Sequence, residues 1–169
     1  MARGLFINSK ELKRFTQING NVDSDRFLDA VWDRQNRDIH NILGTDLYEK
    51  IKGHIEAGNL SSQTVYKNLL DDYIKPVLIN YAMAELVNRL HFQLSNKGIF
   101  VHQSENAIAA TTDDVIKMEQ RYSSIAEYYA QRLTDYLSFN SNSFPEYTSN
   151  TNTDLSPDRR GYFTNIILD

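Results

Sequence analysis

The chain has 169 residues, 41% of them apolar and 24% charged, and its formal net charge is −4. This size and composition indicate one folded domain with a sizeable core rather than a disordered chain. A protein that grips duplex DNA usually carries a basic excess, which this chain lacks. The absence of cysteine excludes disulfides, zinc–thiolate sites and thiol catalysis.

The N-terminal sequence has no long apolar stretch, so a secretory signal is not predicted. No segment approaches the roughly 18–20 apolar residues of a membrane span. We therefore expect a protein that is made and kept in an aqueous compartment, with no membrane partner.

Residues 1–21 are predicted to form a short N-terminal segment. Leu5, Phe6 and Ile7 are compatible with a strand or an apolar anchor. Ser9 is a candidate N-cap for one or two helical turns, which Gly20 ends.

A helical core is predicted over residues 22–140, beginning with a helix from Ser24 to about Leu43. Its apolar residues recur near the 3.6-residue period. Gly44 follows as a helix-terminating glycine, and Thr45 is a candidate N-cap for a second helix that Gly58 ends.

The next helix is predicted to begin at Ser61 or Ser62 and to end at Ser95. Pro76 inside it removes one backbone hydrogen bond, but the apolar period continues across it, which indicates a kink rather than a break. The apolar line expected to face the core begins at Val65 and extends to Phe92.

A short β element is predicted near residues 99–103, and a last long helix from Thr112 to about Asn140. Its expected buried stripe includes Met118, Tyr122, Tyr129 and Leu133. The predicted fold class is therefore mainly all-α: a small helical bundle with two long helices, one short β element and an extended C-terminal arm.

The arm is assigned to residues 141–169 because the composition changes there. Between Ser138 and Ser156, twelve of nineteen residues are Ser, Thr or Asn, which cannot offset the ordering cost of about 1–2 kcal/mol per residue from their own contacts. Aromatic, arginine and aliphatic residues interrupt or follow this stretch. As contacts to a neighbouring subunit or partner we predict Phe144, Tyr147, Arg159, Arg160, Tyr162, Phe163 and Ile166.

No constellation of residues indicates catalysis. The four histidines form no paired metal-binding motif, and there is no glycine-rich phosphate loop. The adjacent pair Asp113 and Asp114 is better explained as compensation of a helix dipole. We predict no catalytic residue, no metal and no cofactor, and interpret most of the ten tyrosines as helix-packing residues, some of which contact other subunits.

Four stretches, taken together, resemble the head–tail connector (adaptor or head-completion) proteins of tailed bacteriophages, and most closely the type found in crAss-like phages of Bacteroides. They are Leu43–Ile51, Tyr73–Leu78 continuing into Ala82–Leu90, Leu94–Ile99, and Phe144–Tyr147. All are fold signatures rather than chemical signatures.

The resemblance implies a non-catalytic virion protein that assembles into a closed ring, typically dodecameric. The ring would lie at the head–tail junction, bind the portal protein and an adjacent tail or second-ring connector protein, and let packaged DNA pass through its lumen. The protein would be synthesised in the cytoplasm of the host bacterium. The resemblance supplies no catalytic residue, cofactor or metal.

Two other functions remain open. A helical nucleic-acid-binding protein of the packaging machinery, similar to a small terminase subunit, would use Arg26, Arg34 and Arg37, but acidic residues interleave with them. A small enzyme would need His91 and His102 to converge with Glu85 or Glu105.

Overall fold

The computed structural model describes residues 4–15, 24–95, 98–101, 111–149, 151 and 154–159. Within these ranges the chain is mainly α-helical, as predicted. The helices are α1 (Ser9–Phe15), α2 (Ser24–Arg34), α3 (His40–Glu56), α4 (Thr64–Asn68), α5 (Lys75–His91), α6 (Thr112–Phe139) and α7 (Glu146–Ser149). None of the described helices is both long and apolar enough to cross a bilayer.

The N-terminal segment is an apolar anchor. Phe6, Ile7 and Leu12 are buried in the same core as the long helices. The N-cap of α1 is Asn8 rather than Ser9, because Asn8 Oδ1 accepts from Glu11 N (2.9 Å) and Glu11 Oε2 accepts from Asn8 N (3.0 Å). This reciprocal pair satisfies two backbone donors at the helix start.

Helices α2 and α3 form one continuous helix up to Leu43, joined through a π-helical turn over Gln35–Ile39. The predicted termination at Gly44 is confirmed: this residue has φ 71° and ψ 162°, which are not helical angles. The chain turns there and resumes a helix to Glu56, and Gly58, with φ 66°, follows it.

The helix containing Pro76 is continuous to His91, but it begins at Thr64 after a 3₁₀ turn over Leu60–Ser62. A second π-helical turn, Leu69–Ile74, lies directly before the proline segment. It widens the helix where the Asp72 carbonyl would otherwise face the proline ring. Because the π turn shifts the helical period, Val65 is about half exposed, contrary to the predicted apolar line.

The predicted helix end at Ser95 is wrong. The helix ends at His91, and Phe92–Ser95 (β1) pairs antiparallel with Gly98–Val101 (β2). The predicted β element near 99–103 therefore corresponds to β2, and residues 102 and 103 lie outside the described residues. The β-forming residues of both segments pair with each other in preference to extending the helix.

Helix α6 begins at Thr112 as predicted, with Thr111 as its cap. The Thr111 hydroxyl accepts from Asp114 N (3.2 Å), and Asp114 Oδ2 accepts from Thr111 N (3.2 Å). Helices α5 and α6 pack along each other and form the centre of the core together with α2. Met118, predicted to be buried, is instead about half exposed.

Leu86 lies in this core with no exposed surface. Replacing it with alanine removes buried methyl groups and leaves a cavity, so Leu86→Ala is expected to lower the free energy of unfolding by about 2–5 kcal/mol. Urea denaturation followed by circular dichroism measures this loss. The control is Ile116→Ala, an exposed position on α6, which should change stability by less than about 1 kcal/mol; equal losses would contradict the core assignment.

Candidate functional site

A docking site for the chain's own C-terminal strap forms where the helix breaks at Gly44. We call residues 154–159 the strap, and residues His40, Asn41, Gly44, Thr45 and Asp46 the strap site. A helix start leaves backbone N–H groups without helical partners. Thr45 N uses this freedom to donate to Leu155 O at 2.9 Å.

The Thr45 side chain binds the strap rather than capping its own helix as predicted. Its Oγ1 accepts from Leu155 N (3.1 Å) and donates to Asp154 Oδ2 (3.0 Å). His40 Nε2 lies 2.9 Å from Thr45 Oγ1. Because the hydroxyl proton is directed to Asp154, His40 donates here, so this ring is protonated at Nε2.

Hydrogen bonds to the two neighbouring residues Asp46 and Asn41 also hold the C-terminal segment. Asp46 Oδ2 accepts from Ser149 Oγ (2.7 Å), Thr151 N (2.9 Å) and Thr151 Oγ1 (2.7 Å). At the other end, Asp158 N donates to Asn41 O at 2.9 Å. The site therefore binds the backbone of the strap, at Leu155 and Asp158, as well as side chains of the docked segment.

Pro157 packs directly on Gly44. A Cβ built on this glycine would lie 2.6 Å from Pro157 Cδ and Cγ, closer than any real carbon contact. Gly44 is thus required twice, once by its positive φ and once by the close approach of the strap.

A buried polar network connects the strap site to the N-terminal segment. The His40 ring stacks on Tyr48 at 4.3 Å between centroids, and the Tyr48 hydroxyl donates to Asn36 Oδ1 (3.0 Å). Gln35 Nε2 donates to that hydroxyl (3.0 Å) and to Gly4 O (2.9 Å), and Gln35 Oε1 accepts from Phe6 N (2.8 Å). Both terminal segments are therefore docked on the α2–α3 helix.

Two predicted partner contacts, Phe144 and Tyr147, belong to the subunit's own core. Both are almost completely buried, because a 3₁₀ turn over Ser141–Ser143 and helix α7 fold the chain back on α3. The expected arm is thus not extended over residues 141–149. Burial of these two large aromatic side chains offsets part of the cost of ordering this polar segment.

Tyr66 and Glu146 fasten α7 to the core. The Tyr66 hydroxyl lies 3.0 Å from both carboxylate oxygens of Glu146, and burial together with this carboxylate raises the pKa of Tyr66 to about 12. The Tyr66 ring also contacts Phe144 edge-on at 5.9 Å. The tail is therefore held up to Ser149 by packing, and beyond it by the strap site.

Arg159 also contacts its own subunit. Its guanidinium lies over the Tyr147 ring at 5.1 Å and donates to Tyr147 O at 3.1 Å. The remaining predicted contacts lie outside the described residues: Arg160, Tyr162, Phe163 and Ile166.

An open groove lies between α5 and α6. It has a volume of about 290 Å³ and is mostly apolar. Its walls are formed by Asp71, Lys75, Pro76, Ile79, Asn80, Tyr122 and Tyr129. Met118 is one helical turn before Tyr122 on α6, so it extends the same apolar edge.

A second apolar surface lies on the outward side of α6. Tyr128 is 68% exposed and Phe139 is 88% exposed. They are about three helical turns apart, so they share one face of the helix. This face differs from the one that lines the groove, so the described part of α6 presents apolar side chains on two sides.

Two of the three basic residues of the nucleic-acid hypothesis, Arg34 and Arg37, are engaged in ion pairs. Arg34 contacts Asp38 (3.4 Å) and Glu85 (3.2 Å), and Arg37 contacts Asp38 (3.5 Å). The side chain of Arg26 lies outside the described residues. The described pair is therefore largely neutralised and offers little net charge to phosphates.

The residues of the enzyme hypothesis are only partly described. Glu85 is occupied by Arg34 and Arg89, while His102 and Glu105 lie outside the described residues. Across the described ranges, no group of three or more His, Asp or Glu side chains is arranged to hold a metal ion.

Sequence reasoning missed the strap site. The sequence predicts the glycine at the helix break, but it predicts Thr45 only as a helix cap. The available signal was the match between two clusters of hydroxyl and carboxylate residues, one at the break and one in the tail. Nothing local connects them, since they are about 110 residues apart.

The chain belongs to a family of unknown function (DUF6712), which it matches over residues 39–156. The matched region begins at the end of the first π turn and ends within the strap. It therefore includes the break at Gly44 and both residues of the hydrogen bond from Thr45 N to Leu155 O. No curated protein and no solved structure matches the chain.

Gly44→Ala is expected to lower the free energy of unfolding by about 1–3 kcal/mol, because its backbone angles are accessible to glycine only and the new methyl group meets Pro157. Thermal and urea denaturation measure the effect. Gly53→Ala is the matched control: this glycine is inside α3 with open space around it, and alanine there should raise stability by about 0.4–1 kcal/mol. Equal effects at both positions would contradict the role of Gly44.

Burial lowers the pKa of His40 from its ordinary value near 6.5, with Asp154 opposing the shift. The unfolded chain therefore takes up this proton at a higher pH than the folded chain, so stability falls as the pH drops from about 6.5 towards 5. His40→Phe keeps a ring against Tyr48 but removes the titrating group. We expect the variant to be less stable at neutral pH and to have a smaller loss between pH 6.5 and 5, as measured by urea denaturation; identical slopes would contradict this assignment.

Proposed function

We propose that this member of the family is a structural virion protein, a subunit of a ring that joins the portal to the tail of a tailed bacteriophage and lets DNA pass through its lumen. The proposal rests on the resemblance of four sequence stretches to head–tail connectors. The mainly helical bundle, with its two long packed helices, is the architecture that this resemblance implies.

The structural observation that supports the proposal is the pair of apolar surfaces on α6. A closed ring built from identical subunits in head-to-tail contact needs two different faces on each subunit. The groove at Tyr122 and Tyr129 is one candidate face, and the outward pair Tyr128 and Phe139 is another. Burying such aromatic area contributes about 25 cal/mol per Å² to association.

The charge of the chain suits the proposed lumen. With a formal net charge of −4 and with Arg34 and Arg37 already paired with carboxylates, the subunit has little means of holding phosphates tightly. Weak contact with DNA favours passage over retention.

Electron microscopy and mass photometry of the purified protein, alone and mixed with the portal protein of the same phage, test the proposal. We expect rings of defined stoichiometry, alone or on the portal. A strictly monomeric protein that does not bind the portal would contradict the proposal. Salt-dependent retardation of DNA in a gel by such a monomer would instead support the packaging alternative.

Phe139→Lys is expected to raise the protein concentration needed for ring formation at least tenfold, because it places a charge in the proposed contact. The change should not impair folding, since the side chain is 88% exposed and a cation near a helix C-terminus is favourable. Gln120→Lys, which adds the same charge at an exposed position on another side of α6, is the control. Circular dichroism confirms folding of both variants, and unchanged assembly of Phe139→Lys would remove this surface from the interface.

A further inference from the structure

The strap is held by hydrogen bonds and by limited apolar packing. Thr45 and Asn41 bind its backbone, and Thr45 also binds Asp154. Leu155 is only partly buried, with 41% of its surface exposed. Pro157 packs on Gly44, and the Arg159 guanidinium lies over the Tyr147 ring.

None of these contacts requires that strap and strap site belong to the same chain. Among the residues that the structure describes, Tyr147 is the last fully buried one before the strap. When fully extended, the chain from Tyr147 to Leu155 can span up to about 27 Å, which sets the largest distance over which the strap can reach a neighbouring copy. To take this path, the segment would have to release the contacts that Ser149 and Thr151 make with Asp46.

We infer that the strap docks in trans when copies of this chain assemble: residues 154–159 of one copy occupy the strap site of its neighbour. The inference rests on the proposed ring. Exchange reproduces in trans the hydrogen bonds that residues 154–159 make within one chain, and so adds a backbone-mediated link to each interface. Its cost is the loss of the hydrogen bonds from Ser149 and Thr151 to Asp46. The high local concentration of subunits in a ring favours this arrangement, and dilution favours docking within one chain.

The backbone and glycine–proline contacts of the site are available to the strap of either chain, because every copy presents the same groups at Gly44 and Thr45.

Disulfide trapping tests the inference, because the full chain contains no cysteine. The hydrogen bond from Asp158 N to Asn41 O (2.9 Å) keeps the Cα atoms of these two residues about 6 Å apart, a separation that a disulfide can span. Full-length chains carrying only Asn41→Cys are mixed with chains carrying only Asp158→Cys, allowed to assemble, and oxidised. Non-reducing electrophoresis should show covalent dimers that require both variants, at least tenfold above either variant alone.

The double variant, Asn41→Cys with Asp158→Cys, completes the test. Exchange predicts a ladder of covalent oligomers from assembled protein and fast-migrating intrachain-linked monomers from diluted protein. Rings that contain only intrachain disulfides would overturn the exchange and leave the ring proposal standing. Interchain disulfides without rings would support the exchange and contradict the ring, and intrachain disulfides alone in a protein that never assembles would overturn both. Circular dichroism under reducing conditions verifies that every variant folds.

Discussion

The backbone conformation of Gly44 is the constraint on which the rest of the candidate site depends. With φ 71° and ψ 162°, this residue ends one helix and starts another within a single residue, and so exposes the first N–H groups of the second helix. Thr45 N, which a continuous helix would have used internally, instead binds the Leu155 carbonyl. The same missing Cβ leaves space for Pro157.

The docked termini extend this local arrangement into a property of the whole subunit. Gln35 binds the N-terminal backbone at Gly4 and Phe6, and the Tyr48 hydroxyl connects this amide to the ring stack with His40. Buried polar networks of this kind are costly when any member lacks a partner. The two terminal segments and the broken helix are therefore expected to order together, since loss of one leaves polar groups of the others unsatisfied.

This construction is consistent with an assembly component. Exposed or partly exposed apolar side chains lie on two sides of α6, while the polar side chains of the strap site are used for docking the chain on itself. Surfaces of this kind are suited to self-association. The contacts of the proposed ring and of the proposed strap exchange use different parts of the chain, so the experiments that test them have separate outcomes.

The sequence by itself determined the helical class, the break at Gly44, the helix beginning at Thr112 and most of the core. These features follow from helical periodicity and from glycine and capping chemistry, which act over a few residues. The predicted burial of Val65 and Met118 was wrong. For Val65 the reason is the π turn, which shifts the helical period without a local sequence signal. For Met118 the reason is that packing decides which face of a helix its partner helix covers.

Only the tertiary structure decided where the described part of the tail lies. Its polar composition indicated an arm, yet Phe144 and Tyr147 enter the core and the strap binds Thr45. The energy that orders this segment comes from residues about 110 positions away. Composition measures what a segment can contribute by itself, whereas docking depends on groups that only the fold brings within hydrogen-bonding distance.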